Sequence, residues 1–235
     1  RQAVTLKGEI DLVTAYDHRA EALIVETIRA RYPHHAVVAE EGRGAGGTPE
    51  HCWYVDPLDG TTNFAHGYPV FAVSIAYERA GDLECAVTYD PTRKECFVAQ
   101  RGRGAWLNGR RLAVAPATPL DQGLLATGFP YDRANYPLAL RRWERLIRAA
   151  RAVRRAGSAA LDLAYVAAGR FDGFWEDWLG PWDLAAGLLL VREAGGAVTD
   201  LQGGPAGPRR GQVLATSGHI HAAMLAVLAE AQAGP

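Results

Sequence analysis

The chain changes its periodicity once, and that change restricts the fold more than any other feature. From Phe71 to Val114 it runs through short β-type segments (FAVSIAYE, LECAVTYD, KECFVAQ, AWLNG, RRLAV) punctuated by Gly-Asp, Asp-Pro and Asn-Gly pairs. Apolar alternation broken by turn residues reads as an antiparallel meander. From Leu124 onward, strand and helix patterns alternate. Strands are expected at Leu124–Thr127, Phe171–Glu176, Gly196–Asp200 and Gln212–Ala215, and helices at Leu138–Ala150, Ala159–Ala168, Trp182–Glu193 and Gly218–Gln232. Gly157-Ser158 is placed to cap the second of these helices, and Pro181 stands just before the third. Upstream, Asp17–Arg31 has helical spacing, with Asp17 as the expected N-cap and Pro33 as the stop, and Ala36–Ala39 and His51–Val55 read as short buried strands. The sum is a mixed α/β (α+β) layered sandwich. An N-terminal part, residues 1–120, and a C-terminal part, residues 121–235, form one compact unit with a site along their seam.

Composition narrows the classes. A chain of 235 residues with 49% apolar and 22% charged side chains buries a core and is not disordered. The longest apolar run, Leu184–Val191, is far short of the roughly twenty residues a membrane span needs. A net charge of −1 gives no general attraction for nucleic acid, so neither membrane nor nucleic acid is an expected partner. Cys52, Cys85 and Cys96 form no CxxC pair, and the N-terminus has no signal-peptide pattern; the expected compartment is the cytoplasm. The arginines from Arg141 to Arg155 read as a solvated helix face, with binding of RNA or protein as the rival reading.

The chemistry concentrates at Trp53–Gly67, WYVDPLDGTTNFAHG. Asp56 and Asp59 flank a proline at the end of a buried strand, and the Leu58 carbonyl can point to the same side. Three oxygens from four residues suit a hard cation such as Mg²⁺ better than zinc. Gly60, Thr61 and Thr62 then offer N–H groups and hydroxyls at the start of a turn or helix, where a phosphate can bind. Glu40 and Glu41 follow a strand, and Asp183 opens an apolar helix; each has an ordinary explanation alone. Gathered together, these carboxylates would repel and raise one another's pKa until divalent cations removed the penalty.

In these segments the chain resembles the inositol monophosphatase family of Mg²⁺-dependent, lithium-sensitive phosphatases. The resemblance runs through Asp11-Leu12-Val13-Thr14 with Asp17, Ala39-Glu40-Glu41-Gly42, Asp56–Phe64, Arg155–Ala160, Pro181–Gly187 and Glu193–Gly196. It implies the layered α-β-α-β-α sandwich of the inositol monophosphatase and fructose-1,6-bisphosphatase type. It also implies two to three Mg²⁺ ions held by Glu40, Asp56, the Leu58 carbonyl, Asp59 and Asp183. Thr61, backed by Asp17, would orient the attacking water. Gly60 and Thr61 would bind the phosphate, and Ser158, Ala159 and Glu176 would meet the alcohol. Two regions depart from the family pattern. Ten residues precede Asp11-Leu12-Val13-Thr14 where family members usually carry a further helix, with Lys7 and Glu9 read as remnants of the usual upstream hairpin, and the loop Gly42–Glu50 is short and glycine-rich.

Thr61-Thr62-Asn63-Phe64 resembles the inositol monophosphatase branch, so the expected reaction is hydrolysis of inositol monophosphate by metal-activated water, in a homodimer. Fructose-1,6-bisphosphatase activity, histidinol-phosphatase activity and a non-catalytic RNA- or protein-binding role are the alternatives.

Overall fold

The computed structural model describes residues 4–6, 12–44 and 46–232; the expectations for Lys7, Glu9 and Asp11 lie outside them. Strands β1 (Val4–Leu6) and β2 (Leu12–Thr14) pair antiparallel and lead into helix α1 (Ala15–Arg31). A seven-stranded sheet follows in sequence order: β3 (His35–Ala39), β4 (Thr48–Asp59), β5 (Ala72–Arg79), β6 (Asp82–Asp90), β7 (Glu95–Gln100), β8 (Gly104–Leu107) and β9 (Arg110–Arg111). Only β3 and β4 pair parallel in it; the rest is the expected meander. Helix α2 (Thr61–His66) sits between β4 and β5.

The second sheet uses β10 (Leu124–Thr127), β11 (Ala152–Arg154), β12 (Gly173–Asp177), β13 (Ala197–Thr199) and β14 (Gln212–Thr216), in the spatial order β11-β10-β12-β14-β13. Helices α3 (Tyr136–Ala149), α4 (Ala159–Ala167), α5 (Pro181–Glu193) and α6 (His221–Gln232) complete the chain. The strands deal their side chains to alternate faces. In the second sheet Ala126, Phe174, Val213 and Ala215 face one core, while Leu125, Trp175 and Leu214 face another. The first of these cores also takes Tyr54, Ala76 and Phe97 from the seven-stranded sheet, with α4 and α5 between the two sheets. The other lies under α3 and α6. On the far side of the first sheet, Val55 packs with Val25 and Ile28 of α1. The layers therefore run α1, sheet, α4 and α5, sheet, α3 and α6. A helix between two sheets is apolar all round, and Leu184–Val191 of α5 are all buried.

Three expectations change. Asp17 is not the N-cap of α1. Thr14 is, with Asp17 at the third helical position closing a capping box. Strands β1, β2 and β11 have three residues each, too few to show a period. Arg142 is not on a solvated face either. It is 5% exposed and ion-paired with Asp177, while Arg145 pairs with Glu230 and Arg148 with Glu144. Among the described residues, no helix is long and apolar enough to cross a membrane.

Candidate active site

Strand β4 delivers Asp56 and Asp59 through an irregularity. Asp56 pairs with Ser74 and Asp59 with Ala72, so the Pro57-Leu58 step adds one residue to β4. A bulge re-aims the side chains that flank it, and Pro57, with no N–H to lose, is tolerated there. The Leu58 N–H donates to Asp56 Oδ1 at 2.9 Å, tightening the turn. Gly60 has φ +90°, and a Cβ on it would lie 2.8 Å from the Val70 carbonyl oxygen, so only glycine fits.

Two helix starts supply the rest. Asp183 is in the first turn of α5, where its Oδ2 accepts the Gly180 N–H at 2.7 Å. Asp59 Oδ2 accepts the Ser158 hydroxyl at 2.5 Å and the Ala160 N–H at 2.8 Å, at the start of α4. Carboxylate oxygens of Asp56, Asp59 and Asp183 thereby lie within 4.8 Å of one another. They line a cavity of about 190 Å³ together with Glu40, Leu58 and Thr61. Burial, then the charges of Glu40, Asp59 and Asp183, push the Asp56 carboxyl well above its usual range. Burial, then Asp59 and Glu40, push Asp183 up to about 8. Burial raises Asp59 to about 6 against its bonds from Ser158 and α4. Such crowding is what a divalent cation relieves, and the donors are all hard oxygens, so the set fits Mg²⁺.

Thr61 is 6% exposed. Its Oγ1 lies 2.8 Å from Asp17 Oδ1 and 3.0 Å from the Leu58 carbonyl oxygen, two acceptors competing for one proton. Asp17 Oδ2 takes the Thr14 N–H at 2.9 Å and its hydroxyl at 2.5 Å. The cap of α1 thus fixes the carboxylate that fixes Thr61.

A larger cavity, about 230 Å³, adjoins the first and shares Asp59, Gly60, Tyr131 and Asp183 with it. Ser158, Ala159 and Glu176 line it. Ser158, however, spends its hydroxyl inside the protein, donating to Asp59 and accepting the Leu161 N–H as the N-cap of α4. The Glu176 carboxylate lies against Gly128, where a Cβ would be 2.1 Å from Oε1. Burial, then Asp162 and Asp183, raise Glu176 well above the carboxylate range.

Two acids escaped the sequence reading. Glu21 is fully buried in α1, and its carboxylate accepts the Glu41 N–H at 2.6 Å and the Arg43 N–H at 2.9 Å, anchoring the turn that carries Glu40. Its signal was the spacing of four from Asp17, which puts both acids on one helix face. Asp162 is 2% exposed and lines the larger cavity; its signal was a lone acid in an apolar helix.

The profile of the inositol monophosphatase family matches residues 1–233. The chain belongs to that family. It is 51% identical over 222 residues to the protein named Nus factor SuhB of Escherichia coli K12, covering 94% of this chain and 83% of that one. It is 46% identical over 227 residues to the inositol-1-monophosphatase of Rhizobium meliloti, covering 96% and 85%. Among solved structures, the extragenic suppressor protein suhB of Bartonella henselae superposes with a TM-score of 0.92 at 44% identity, covering 96% of this chain and 88% of that one. An IMPase/NADP phosphatase complexed with Mg²⁺ and phosphate does so with 0.85 at 25% identity, covering 97% and 86%. The layered architecture of this family member is that of its solved relatives.

Proposed function

We propose that the protein is a Mg²⁺-dependent phosphomonoesterase that hydrolyses inositol monophosphate to inositol and phosphate. The observation that carries this reading is the cluster of Asp56, Asp59 and Asp183, opening directly onto a second cavity lined by Glu176. A family relative complexed with Mg²⁺ and phosphate supports the ion, and a relative named inositol-1-monophosphatase supports the substrate.

In this reading Glu40, Asp56, the Leu58 carbonyl, Asp59 and Asp183 hold two to three Mg²⁺ ions. When bound, Mg²⁺ supplies Lewis-acid stabilisation of phosphoryl charge and makes water nucleophilic near neutral pH. The protein's own groups do the positioning. Thr61 donates its proton to Asp17, which leaves its lone pairs to accept a hydrogen from the attacking water. The Gly60 and Thr61 N–H groups bind phosphoryl oxygens. The leaving alcohol occupies the larger cavity, where Ala159 packs against it and Glu176 accepts from its hydroxyls. Ser158 serves through Asp59. The family resemblance also supports a cytoplasmic homodimer inhibited by lithium.

The test is phosphate release at saturating Mg²⁺ from inositol 1-phosphate, fructose 1,6-bisphosphate, histidinol phosphate and 3′-phosphoadenosine 5′-phosphate. The expected preference is inositol 1-phosphate; faster turnover of another ester would move the protein to a different branch.

The relatives named Nus factor favour a second reading, a role in a macromolecular assembly. The pairing of Arg142, Arg145 and Arg148 with carboxylates leaves little charge on α3 for RNA. RNA binding through this face would weaken steeply with salt.

A further inference from the structure

The larger cavity carries an acid that none of these roles uses. Asp162 stands one turn into α4 between Leu161 and Leu163, both fully buried. It is itself 2% exposed, and its Oδ1 has no hydrogen-bond partner among the described residues. A buried, unpaired carboxylate oxygen is costly, and native proteins keep few of them without a use. Asp162 lines the larger cavity but not the smaller one that holds the carboxylate cluster, so it faces the alcohol side of the site. Glu176 lines the same cavity, close enough for the Asp162 charge to act on it.

We propose that Asp162 is a further substrate-binding residue whose carboxyl group accepts a hydrogen bond from a ring hydroxyl of the leaving alcohol, alongside the hydrogen bond that Glu176 accepts. The site thereby selects phosphomonoesters of cyclic polyols, which present one hydroxyl to each acid. An uncharged donor suits the cavity better than an ammonium group. Arg155 also lines it, and its positive charge already offsets both acids. The proposal rests on reading the larger cavity as the alcohol pocket.

The experiment compares kcat/KM for inositol 1-phosphate with kcat/KM for p-nitrophenyl phosphate, an aryl ester with no hydroxyl. It uses the wild type, Asp162→Ala and Asp162→Asn, each with its melting temperature. Loss of one hydrogen bond should lower the ratio by roughly tenfold in Asp162→Ala, mostly through KM. The melting temperature should not fall, because the unpaired buried oxygen has gone. Asp162→Asn keeps an acceptor oxygen and should stay within about threefold of the wild-type ratio. A ratio unchanged in Asp162→Ala, or an equal loss on both esters with a lower melting temperature, overturns the proposal. If the wild type hydrolyses neither ester, the phosphatase reading fails instead. Calorimetric binding of inositol 1-phosphate then decides: the same tenfold weakening in Asp162→Ala supports the assignment, and equal affinity overturns it.

Discussion

Asp59 is where the two halves of the molecule meet: it ends a strand of the first sheet and is held by the first turn of α4. Asp59→Asn or Asp183→Asn should leave the fold intact by circular dichroism and drop turnover below about one hundredth of wild type. Either variant with near wild-type phosphate release at saturating Mg²⁺ would contradict their assignment to the metal. Glu21 is expected to matter without touching substrate, because both its oxygens hold the turn behind Glu40. Glu21→Gln should weaken Mg²⁺ binding by about tenfold or more, read from the Mg²⁺ dependence of turnover. Asp56, Asp59 and Thr61 were legible in the sequence because a short motif with one proline and one glycine holds them. Glu21 was not, because an acid on a helix surface is ordinary until a loop from elsewhere folds over it.

At the level of elements, the close contact of α4 and α5 between the sheets depends on one glycine. A Cβ on Gly187 would sit 2.4 Å from the Leu163 Cβ. Gly187→Val should therefore cost about 1–3 kcal/mol and lower the melting temperature by several degrees; an unchanged melting curve would mean that the helices are not so closely packed. The meander and the later helices were readable because each is long enough to show its period. The end of β4 was not, because the bulge between Asp56 and Asp59 breaks the alternation. The cap of α1 was misread for a related reason. Thr14 and Asp17 are both good capping residues, and only the reciprocal bonds between them decide which is which.

At the scale of the whole molecule, two sheets enclose a group of like charges, and metal, pH and stability are linked through it. In the unfolded chain the Asp59 and Asp183 carboxyls ionise near the usual 3.8, whereas in the folded, metal-free protein they hold their protons to about 6 and about 8. Between those limits the folded state binds more protons than the unfolded one, so the metal-free protein should lose stability as pH rises from about 4 to about 8. Mg²⁺ competes with those protons, so its affinity and the melting-temperature gain it gives should both increase from pH 6 to pH 8. Melting scans across that range, with and without Mg²⁺, check both trends, and a gain independent of pH would contradict the account. The central claim, that this carboxylate cluster is the working centre of a metal-dependent phosphatase, is tested most directly by phosphate release from inositol 1-phosphate with Mg²⁺ and with EDTA. Turnover with Mg²⁺ that EDTA abolishes and added Mg²⁺ restores is the predicted result. Turnover that persists undiminished in EDTA, or no turnover by folded protein with Mg²⁺ bound, would contradict it.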